Sequence, residues 1–255
     1  MPHQYAQASN RRIPSVASFE SKALEALMAP ARGPTDRATF WLRRDIVRGV
    51  FPPAARLKVA QLARFYDLGH STTREAILLL SPSGLVVHEH QKGYRVAGVS
   101  VADYQDVLEV YRQVYELALT MALERGDDAW EERVLVVLHR TSKVPKVLLD
   151  GDPEGREMWQ RAYKRLHHEI LSGCGSRVLL TLFADLGNRL ERYLNLFGDL
   201  ESDRRRDHRA EHRALVEVVL QRDLPRVLAE LDAFFARNQP VRESVVAALQ
   251  GEQTR

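Results

Sequence analysis

A run of small, polar and cationic side chains follows Gly69 in the stretch LARFYDLGHSTTREAILLL, which spans residues 62–80. The pattern predicts one short helix, a break at Gly69 and a second helix over 71–80. Residues 70–74 therefore stand at the N-terminal end of the second helix, where unpaired backbone N–H groups and a partial positive charge favour anions. Side chains of these types suit a phosphate or a base edge better than a packed core.

The same residues also have ordinary structural roles. Ser71 and Thr72 can act as helix caps, and Arg74 can pair with a nearby carboxylate. For Ser71 alone, capping is the simpler interpretation. The ordered set as a whole favours contact with a polyanion.

The bulk composition is that of a globular protein. The chain has 255 residues, of which 45% are hydrophobic and 28% are charged, enough for one large or two ordinary domains. No apolar run approaches the roughly 20 residues of a membrane helix, and the N-terminus has no signal-peptide pattern. Cys174 is the only cysteine and is interpreted as a small buried hydrophobic residue. We therefore expect a cytoplasmic protein without a membrane partner.

Charge is distributed unevenly along the chain. Residues 35–98 hold ten Lys and Arg against five Asp and Glu, and residues 1–34 hold four against two. Residues 99–255 hold 23 against 27. A small basic unit is thus joined to a larger, mildly acidic one, which indicates a polyanion partner for the first unit only.

The hydrophobic pattern divides the chain into three parts. Residues 1–34 form a polar N-terminal arm with one possible short helix. Residues 35–99 contain three helical segments and a strand pair turning at QKG, which is typical of a winged helix-turn-helix. Residues 103–250 read as about six amphipathic helices in an all-α bundle. The predicted fold is mainly α, with a small β-hairpin wing in the first domain.

Two ordered clusters of residues resemble the GntR family of bacterial transcription regulators, in its FadR-like branch with an all-helical FCD effector domain. The resemblance covers about residues 36–238. In the first cluster the matching residues are Gly49, Pro52–Pro53, Leu57, Leu62–Ala63, Arg74–Glu75–Ala76, Gly84–Leu85–Val86 and Gly93. The second cluster comprises Arg112 and Glu116, LHHEILSGCGSRVL, and EHRALVEVVLQRD.

The resemblance implies that the helix over 71–80 lies in the major groove of operator DNA. Arg74 would then bind a guanine edge or a phosphate. His70 stands where the family often has Arg, and the wing would approach a neighbouring groove. The implied DNA-binding residues are Arg43, Arg44, Arg64, His70, Ser71, Thr72, Thr73, Arg74, Lys92 and Gly93.

The resemblance also implies an effector site in the second domain. Arg112 would bind a carboxylate of an organic acid, since a guanidinium can do so bidentately. The implied effector-binding residues are Arg112, Tyr163, His167, His212 and Phe234. The alternatives are that His167 and His212 are satisfied core histidines and that Arg112 pairs with Glu116 along its own helix.

Many FCD domains hold a divalent metal with one Asp and three His, and here that set is degenerate. Tyr163 replaces the Asp four residues before His167, and Phe234 replaces the last His, 22 residues after His212. We therefore expect weak or absent binding of Zn²⁺ or Ni²⁺. His208 precedes His212 by four residues on one helix face, so a site of three imidazoles with His167 remains open; otherwise His208 is a solvated residue.

Together these features predict a ligand-responsive transcription repressor that binds a palindromic operator as a homodimer. Two other classes of function stay open. One is a DNA-binding protein that responds to no ligand or metal, and the other is a metalloenzyme based on the histidines. The sequence has no Gly-rich phosphate loop, no nucleophile elbow and no His-Glu-x-x-His, so we expect no enzyme activity.

Overall fold

A computed structural model describes residues 33–145, 153–198 and 206–253. They divide into two compact units, one of residues 33–46 and 50–97 and the other of residues 47–49 and 98–253. The predicted arm over 1–34 lies almost wholly outside the described residues. Within the described part of the chain, no helix is both long enough and apolar enough to cross a membrane.

The first unit contains three helices and a three-stranded antiparallel sheet. The helices are α1 (Pro34–Val47), α2 (Val59–Phe65) and α3 (His70–Leu79). The strands are β1 (Arg56–Leu57), β2 (Val86–Glu89) and β3 (Gly93–Val96), in the order β1-β3-β2. This confirms the winged helix-turn-helix with a hairpin wing. The short strand β1, which pairs Leu57 with Tyr94, was not predicted because two residues give no periodicity.

Apolar residues at helical spacing form the core of this unit. The buried stripe of α1 packs with buried residues of α2 and α3 and of the sheet: Ala38, Leu42, Ile46, Leu62, Ala63, Ala76, Ile77, Leu85 and Val96. One buried polar pair adds to this core, since Tyr66 Oη donates to Asp45 Oδ2 over 2.7 Å. Burial, and next the charge of Asp45, raise the pKa of Tyr66, so the phenol keeps the proton that it donates.

Two left-handed residues shape the wing turn. Gln91 has φ +60° and Gly93 has φ +85°, and space is open around the position that a Gly93 Cβ would take. Glycine is the residue that adopts this conformation at least cost. The turn leaves Lys92 exposed at the tip of the hairpin.

The second unit is a bundle whose described part has seven helices, one more than the sequence indicated. They are α4 (Val101–Arg125), α5 (Asp128–Ser142), α6 (Pro153–Ser172), α7 (Arg177–Phe197), α8 (His208–Leu220), α9 (Leu224–Arg237) and α10 (Gln239–Gln253). Side-chain caps at Ser100, Asp127, Ser176, Asp207 and Asp223 begin five of them. Each cap satisfies a backbone donor that the helix leaves free.

Helix α4 runs through the middle of this bundle and packs against α6, α7, α9 and α10. Its buried residues include Tyr104, Tyr115 and Leu119. Helix α7 runs antiparallel to α4, because Tyr193 bonds Asp103 while Phe183 stacks on Tyr111. These two contacts hold α4 and α7 together beside the cavity described below.

Candidate functional site

Helix α3 begins without a side-chain cap. Its N-cap is Gly69, in an extended conformation, and no side chain accepts a hydrogen bond from the first turn. Ser71 is the second helical residue, so the interpretation of Ser71 as the cap is wrong. The N–H groups of the first turn have no partner within the helix and point out of its end.

The residues predicted to bind DNA at this helix end differ in their exposure to solvent. His70, Ser71 and Arg74 are exposed and Thr72 is half-buried. Thr73 is only 2% exposed, and its hydroxyl donates to the Gly69 carbonyl over 2.9 Å. The Thr73 side chain therefore serves the start of the helix, and its contact with DNA stays a prediction.

A basic depression lies between β1, the start of α3 and the wing. It has a volume of about 620 Å³ and is lined by His70, Ser71, Gly93 and four cations. The cations are Arg56, Lys58, Arg74 and Lys92. Sequence reasoning missed Arg56 and Lys58, although both contribute to the basic balance of residues 35–98. The unpredicted strand β1 is what places them beside the wing.

The remaining predicted DNA contacts lie outside this depression. The side chain of Arg44 is only 7% exposed, pairs with Asp45 over 2.8 Å, and lies over the Trp41 ring at 4.2 Å. These contacts hold the Arg44 side chain against the fold, and its role as a DNA contact stays a prediction. Arg43 is half-buried, and Arg64 is exposed on α2.

The second unit contains a partly open cavity of about 280 Å³. Its wall comes from α4, α6, α7, α8, α9 and α10 and is mainly aromatic. The rings include Tyr104, Tyr111, Tyr115, Trp159, Tyr163 and Phe234. Such a wall suits an apolar body, and polar side chains at a few points would orient it.

A chain of hydrogen bonds through two histidines lies at one side of the cavity. Tyr115 Oη is 2.8 Å from His167 Nδ1, and His167 Nε2 is 3.0 Å from His212 Nε2. His212 Nδ1 is in turn 2.6 Å from the His208 carbonyl oxygen. The chain joins α4, α6 and α8.

The His208 carbonyl oxygen, at the end of this chain of hydrogen bonds, determines which nitrogen carries each proton. A carbonyl oxygen can only accept, so His212 Nδ1 carries the proton and a neutral His212 accepts at Nε2. His167 must then donate from Nε2, which leaves its Nδ1 to accept from the Tyr115 hydroxyl. Each ring nitrogen therefore has one partner and one role.

The pKa shifts agree with this arrangement. Burial, with the charge of His212 second, holds the pKa of His167 well below its usual value. Burial likewise lowers the pKa of His212 to about 4, against a smaller opposing effect of the hydrogen bond to His208. Burial also raises the pKa of Tyr115 well above its usual value. At neutral pH both rings are uncharged and the phenol is a donor.

Only some of the predicted effector-binding residues therefore line the cavity. His167 lines the cavity, but both of its nitrogens are engaged, and His212 is 3% exposed behind it. The His212 ring positions His167, and its contact with an effector stays a prediction. One alternative for His208 was a solvated residue. The structure instead has it buried and lining the cavity, with 4.9 Å between the centroids of its ring and the Trp159 ring.

The two residues that replace metal ligands pack on the histidines. Tyr163 lies 4.4 Å from the His212 ring and Phe234 lies 5.4 Å from the His167 ring, between centroids. Both line the cavity, and their contact with an effector stays a prediction. They fill the space beside the imidazoles with rings.

This donor set does not fit a divalent metal. Among residues 33–145, 153–198 and 206–253, no three His, Cys, Asp or Glu side chains are grouped to hold an ion. His167 and His212 offer two imidazoles, whereas zinc sites use three or four protein ligands. The site of three imidazoles with His208 is therefore not assembled, and weak or absent metal binding stays a prediction.

Arg112 does not line the cavity. Its guanidinium is about half exposed, pairs with Asp232 of α9, and lies 5.8 Å from the centre of the Phe235 ring. The alternative pair with Glu116 is therefore replaced by the pair with Asp232, and the contact with an effector stays a prediction. The cations that do line the cavity are Arg156, Lys164 and Arg242, which sequence reasoning missed because no motif contains them.

Comparison with known proteins gives two domain matches. Residues 35–96 match the family described as bacterial regulatory proteins, gntR family, and residues 106–237 match the FCD domain. The chain is 34% identical over 153 residues to the HTH-type transcriptional repressor GlaR of Escherichia coli strain K12, covering 60% of this chain and 69% of GlaR. It is 31% identical over 160 residues to the uncharacterized HTH-type transcriptional regulator BphR of Paraburkholderia xenovorans strain LB400, covering 62% and 65%.

A solved structure is similar in fold. The structure of E. coli McbR/YncC aligns with a TM-score of 0.67 and 15% sequence identity, covering 83% of this chain and 97% of that one. At this identity the likeness concerns the fold alone.

The buried histidines predict a loss of stability in acid. Below the usual histidine pKa of about 6.5, the unfolded chain binds a proton that the folded His212 excludes, so the free energy of unfolding falls as the pH drops towards 4. Between about pH 7.5 and about pH 5, His212 alone accounts for about 2 kcal/mol of that loss. We expect urea unfolding of chelator-treated protein to show a smaller acid loss in His212→Asn than in the wild type.

His168 supplies the matched control, because it is exposed on the same helix as His167. His168→Asn should keep the wild-type dependence on pH. An acid loss of the same size in wild type and His212→Asn would contradict the buried, neutral state of this ring.

Proposed function

Because the chain belongs to the GntR family of bacterial transcription regulators and carries an FCD domain, we propose that it is a repressor that binds a palindromic operator as a homodimer and responds to an organic acid in the FCD cavity. The observation that supports DNA binding most strongly is the basic depression at the start of α3. It combines an uncapped helix end with four cations and an exposed wing.

Each part of the depression has a distinct role on DNA. The first-turn N–H groups and the Ser71 hydroxyl bind phosphate, which fixes the position of the helix. Arg74, one turn into α3, reaches a base edge, and a bidentate contact with guanine gives sequence preference. Arg56, Lys58 and Lys92 bind backbone phosphates on either side.

The proposal of repression draws on GlaR, whose name describes a transcriptional repressor and whose length this chain covers to 69%. A protein that binds a palindrome needs a two-fold axis of its own. We place the dimer contact on the outer face of α4 and α7. Leu117 is 51% exposed and Val178 is 77% exposed, so each of these two helices presents a large apolar side chain at the surface.

These two residues stand at the same level of the bundle. Helices α4 and α7 are antiparallel, with Tyr193 bonded to Asp103 and Phe183 stacked on Tyr111. The same antiparallel pairing, continued towards the C-terminal end of α4, puts Leu117 at the same height along the bundle as Val178. Leu182, 40% exposed, lies one turn further along α7 and continues the apolar face.

The cavity supports the response to a ligand. An acid that binds one state of the dimer more tightly than the other shifts the dimer towards that state and changes the separation of its DNA-binding units. The change in operator affinity is then limited by the difference between the acid's affinities for the two states. The two alternatives predict otherwise. A ligand-independent DNA-binding protein would need no cavity, and a histidine metalloenzyme would need a ligand set that the described residues do not assemble.

The DNA contacts are tested with operator fragments recovered by sequencing the genomic DNA that the protein retains. We expect Arg74→Ala to cost about 1–3 kcal/mol on the recovered site and far less on a scrambled duplex, because it removes a base contact. Arg56→Ala should weaken both duplexes alike and reduce the salt dependence by about one phosphate contact. Fluorescence anisotropy at several salt concentrations measures both effects.

Equal operator affinity of Arg74→Ala and wild type would show that α3 does not read the bases. A flat salt titration would exclude the basic depression as the DNA-binding surface.

The dimer face is tested by a charge on α4. We expect Leu117→Glu to be a monomer in sedimentation equilibrium at micromolar concentration, because a buried carboxylate without a partner is costly. Leu135→Glu is the matched control, since Leu135 is equally exposed, at 49%, but lies on α5. A dimer that survives Leu117→Glu unchanged would place the interface elsewhere.

A further inference from the structure

Arg242 occupies an unusual position in the FCD cavity. It belongs to α10 (Gln239–Gln253), which begins beyond the end of the FCD match at residue 237. Its side chain lines the cavity and is half-buried, and one Nη2 hydrogen bond of 2.6 Å goes to the Phe235 carbonyl oxygen. Among the described residues, no carboxylate lies within ion-pair distance of Arg242.

The other cavity cations have partners. Arg156 donates to Asn195 Oδ1 over 2.9 Å. Lys164 pairs with Glu191 and donates to Asn188. His167 offers no free nitrogen, since both are used in the chain with Tyr115 and His212. Arg242 therefore has no carboxylate in direct contact among the described residues, although the charge of its chain neighbour Glu243 acts on it.

The surroundings of Arg242 favour an anion. Burial is the largest effect on the pKa of its guanidinium and lowers it, and the charge of Arg112 lowers it further, whereas Tyr104 and Glu243 raise it. A partly desolvated guanidinium with no carboxylate in direct contact costs free energy that an incoming carboxylate would recover. Tyr104 also lines the cavity and interacts electrostatically with Arg242; burial raises its pKa to about 12, so its hydroxyl remains a hydrogen-bond donor.

The rest of the cavity favours rings. Trp159, Tyr163 and Phe234 present aromatic faces and edges to it, and stacked or edge-to-face pairs are worth more than burial alone. A cavity of about 150 Å³ accommodates one benzene ring. The volume of about 280 Å³ here therefore suits two rings with a small polar head.

We propose that this cavity binds an aromatic carboxylate of about two rings, anchored by Arg242 rather than by a metal or by Arg112. The carboxylate lies against the Arg242 guanidinium, and the rings lie among Trp159, Tyr163 and Phe234. This inference rests on the proposed function, since it names the class of effector for the same cavity.

Three probes of similar size separate charge from ring recognition in calorimetric titrations of the full-length protein. They are 2-naphthoate, the neutral 2-naphthalenemethanol, and the aliphatic acid decanoate. We expect 2-naphthoate to bind the wild type roughly 10- to 100-fold more tightly than the alcohol, as for a hydrogen-bonded charge. It should also bind several-fold more tightly than decanoate.

Two variants assign the anchor. Arg242→Met should reduce affinity for 2-naphthoate to that for 2-naphthalenemethanol and leave the alcohol's own affinity unchanged. Arg112→Met is the matched control, because Arg112 is the nearby arginine on the outer side of Phe235, and it should change either affinity by less than about threefold. Arg242→Lys should fall between wild type and Arg242→Met, since it keeps the charge without the forked geometry.

The proposal is overturned if Arg242→Met binds 2-naphthoate as tightly as the wild type, or if Arg112→Met loses more. It is also overturned if the wild type does not distinguish the acid from the alcohol, a comparison that needs no variant. Measuring operator affinity with and without 2-naphthoate tests the proposed ligand response separately from the proposed binding site. Arg242-dependent binding that leaves operator affinity unchanged would contradict the proposed ligand response but not the site.

Discussion

The direct hydrogen bond between the imidazole rings of His167 and His212 constrains the whole of the second unit. Two nitrogens 3.0 Å apart can share only one proton, and the His208 carbonyl decides which ring donates it. Both rings are then neutral, and Tyr115 completes the chain. Because a buried polar chain is stable only when each member has its partner, α4, α6 and α8 must keep their positions. Neither of these two rings keeps a nitrogen for a metal or a ligand, and we therefore assign the proposed recognition of an acid to Arg242 on α10.

A different constraint governs the first unit, where a helix end is left open instead of satisfied. Gly69 supplies no side chain to cap α3, while the Thr73 hydroxyl turns back to the Gly69 carbonyl. The first-turn donors therefore stay available beside Arg74 and the wing. The cost of leaving them open is small in water and is recovered on a phosphate. The two proposed sites thus treat their polar groups in opposite ways. In the second unit each ring nitrogen of the histidine chain has a hydrogen-bond partner, whereas in the first unit the N–H groups at the start of α3 have none within the helix.

Periodicity and turn residues were enough to predict the winged helix-turn-helix and the helical bundle, because burial of apolar stripes determines both. Side-chain partners could not be predicted. Arg44 follows the pattern of a surface cation, but Asp45 and Trp41 hold it against the fold. Arg112 pairs with Asp232, 120 residues away, instead of Glu116 four residues away. Arg242 belongs to no motif, and only the packing of α10 reveals that it reaches the cavity.

The tautomers of His167 and His212 test the central claim most directly. They can be read from long-range ¹H–¹⁵N correlations in chelator-treated protein labelled at histidine and held at neutral pH, with assignment by His167→Asn and His212→Asn. We predict two neutral rings of opposite tautomer, with His212 protonated at Nδ1 and His167 at Nε2, because the His208 carbonyl accepts only a proton-bearing nitrogen. An imidazolium at either residue, or the same tautomer at both, would contradict the hydrogen-bond chain and the role that it leaves to Arg242.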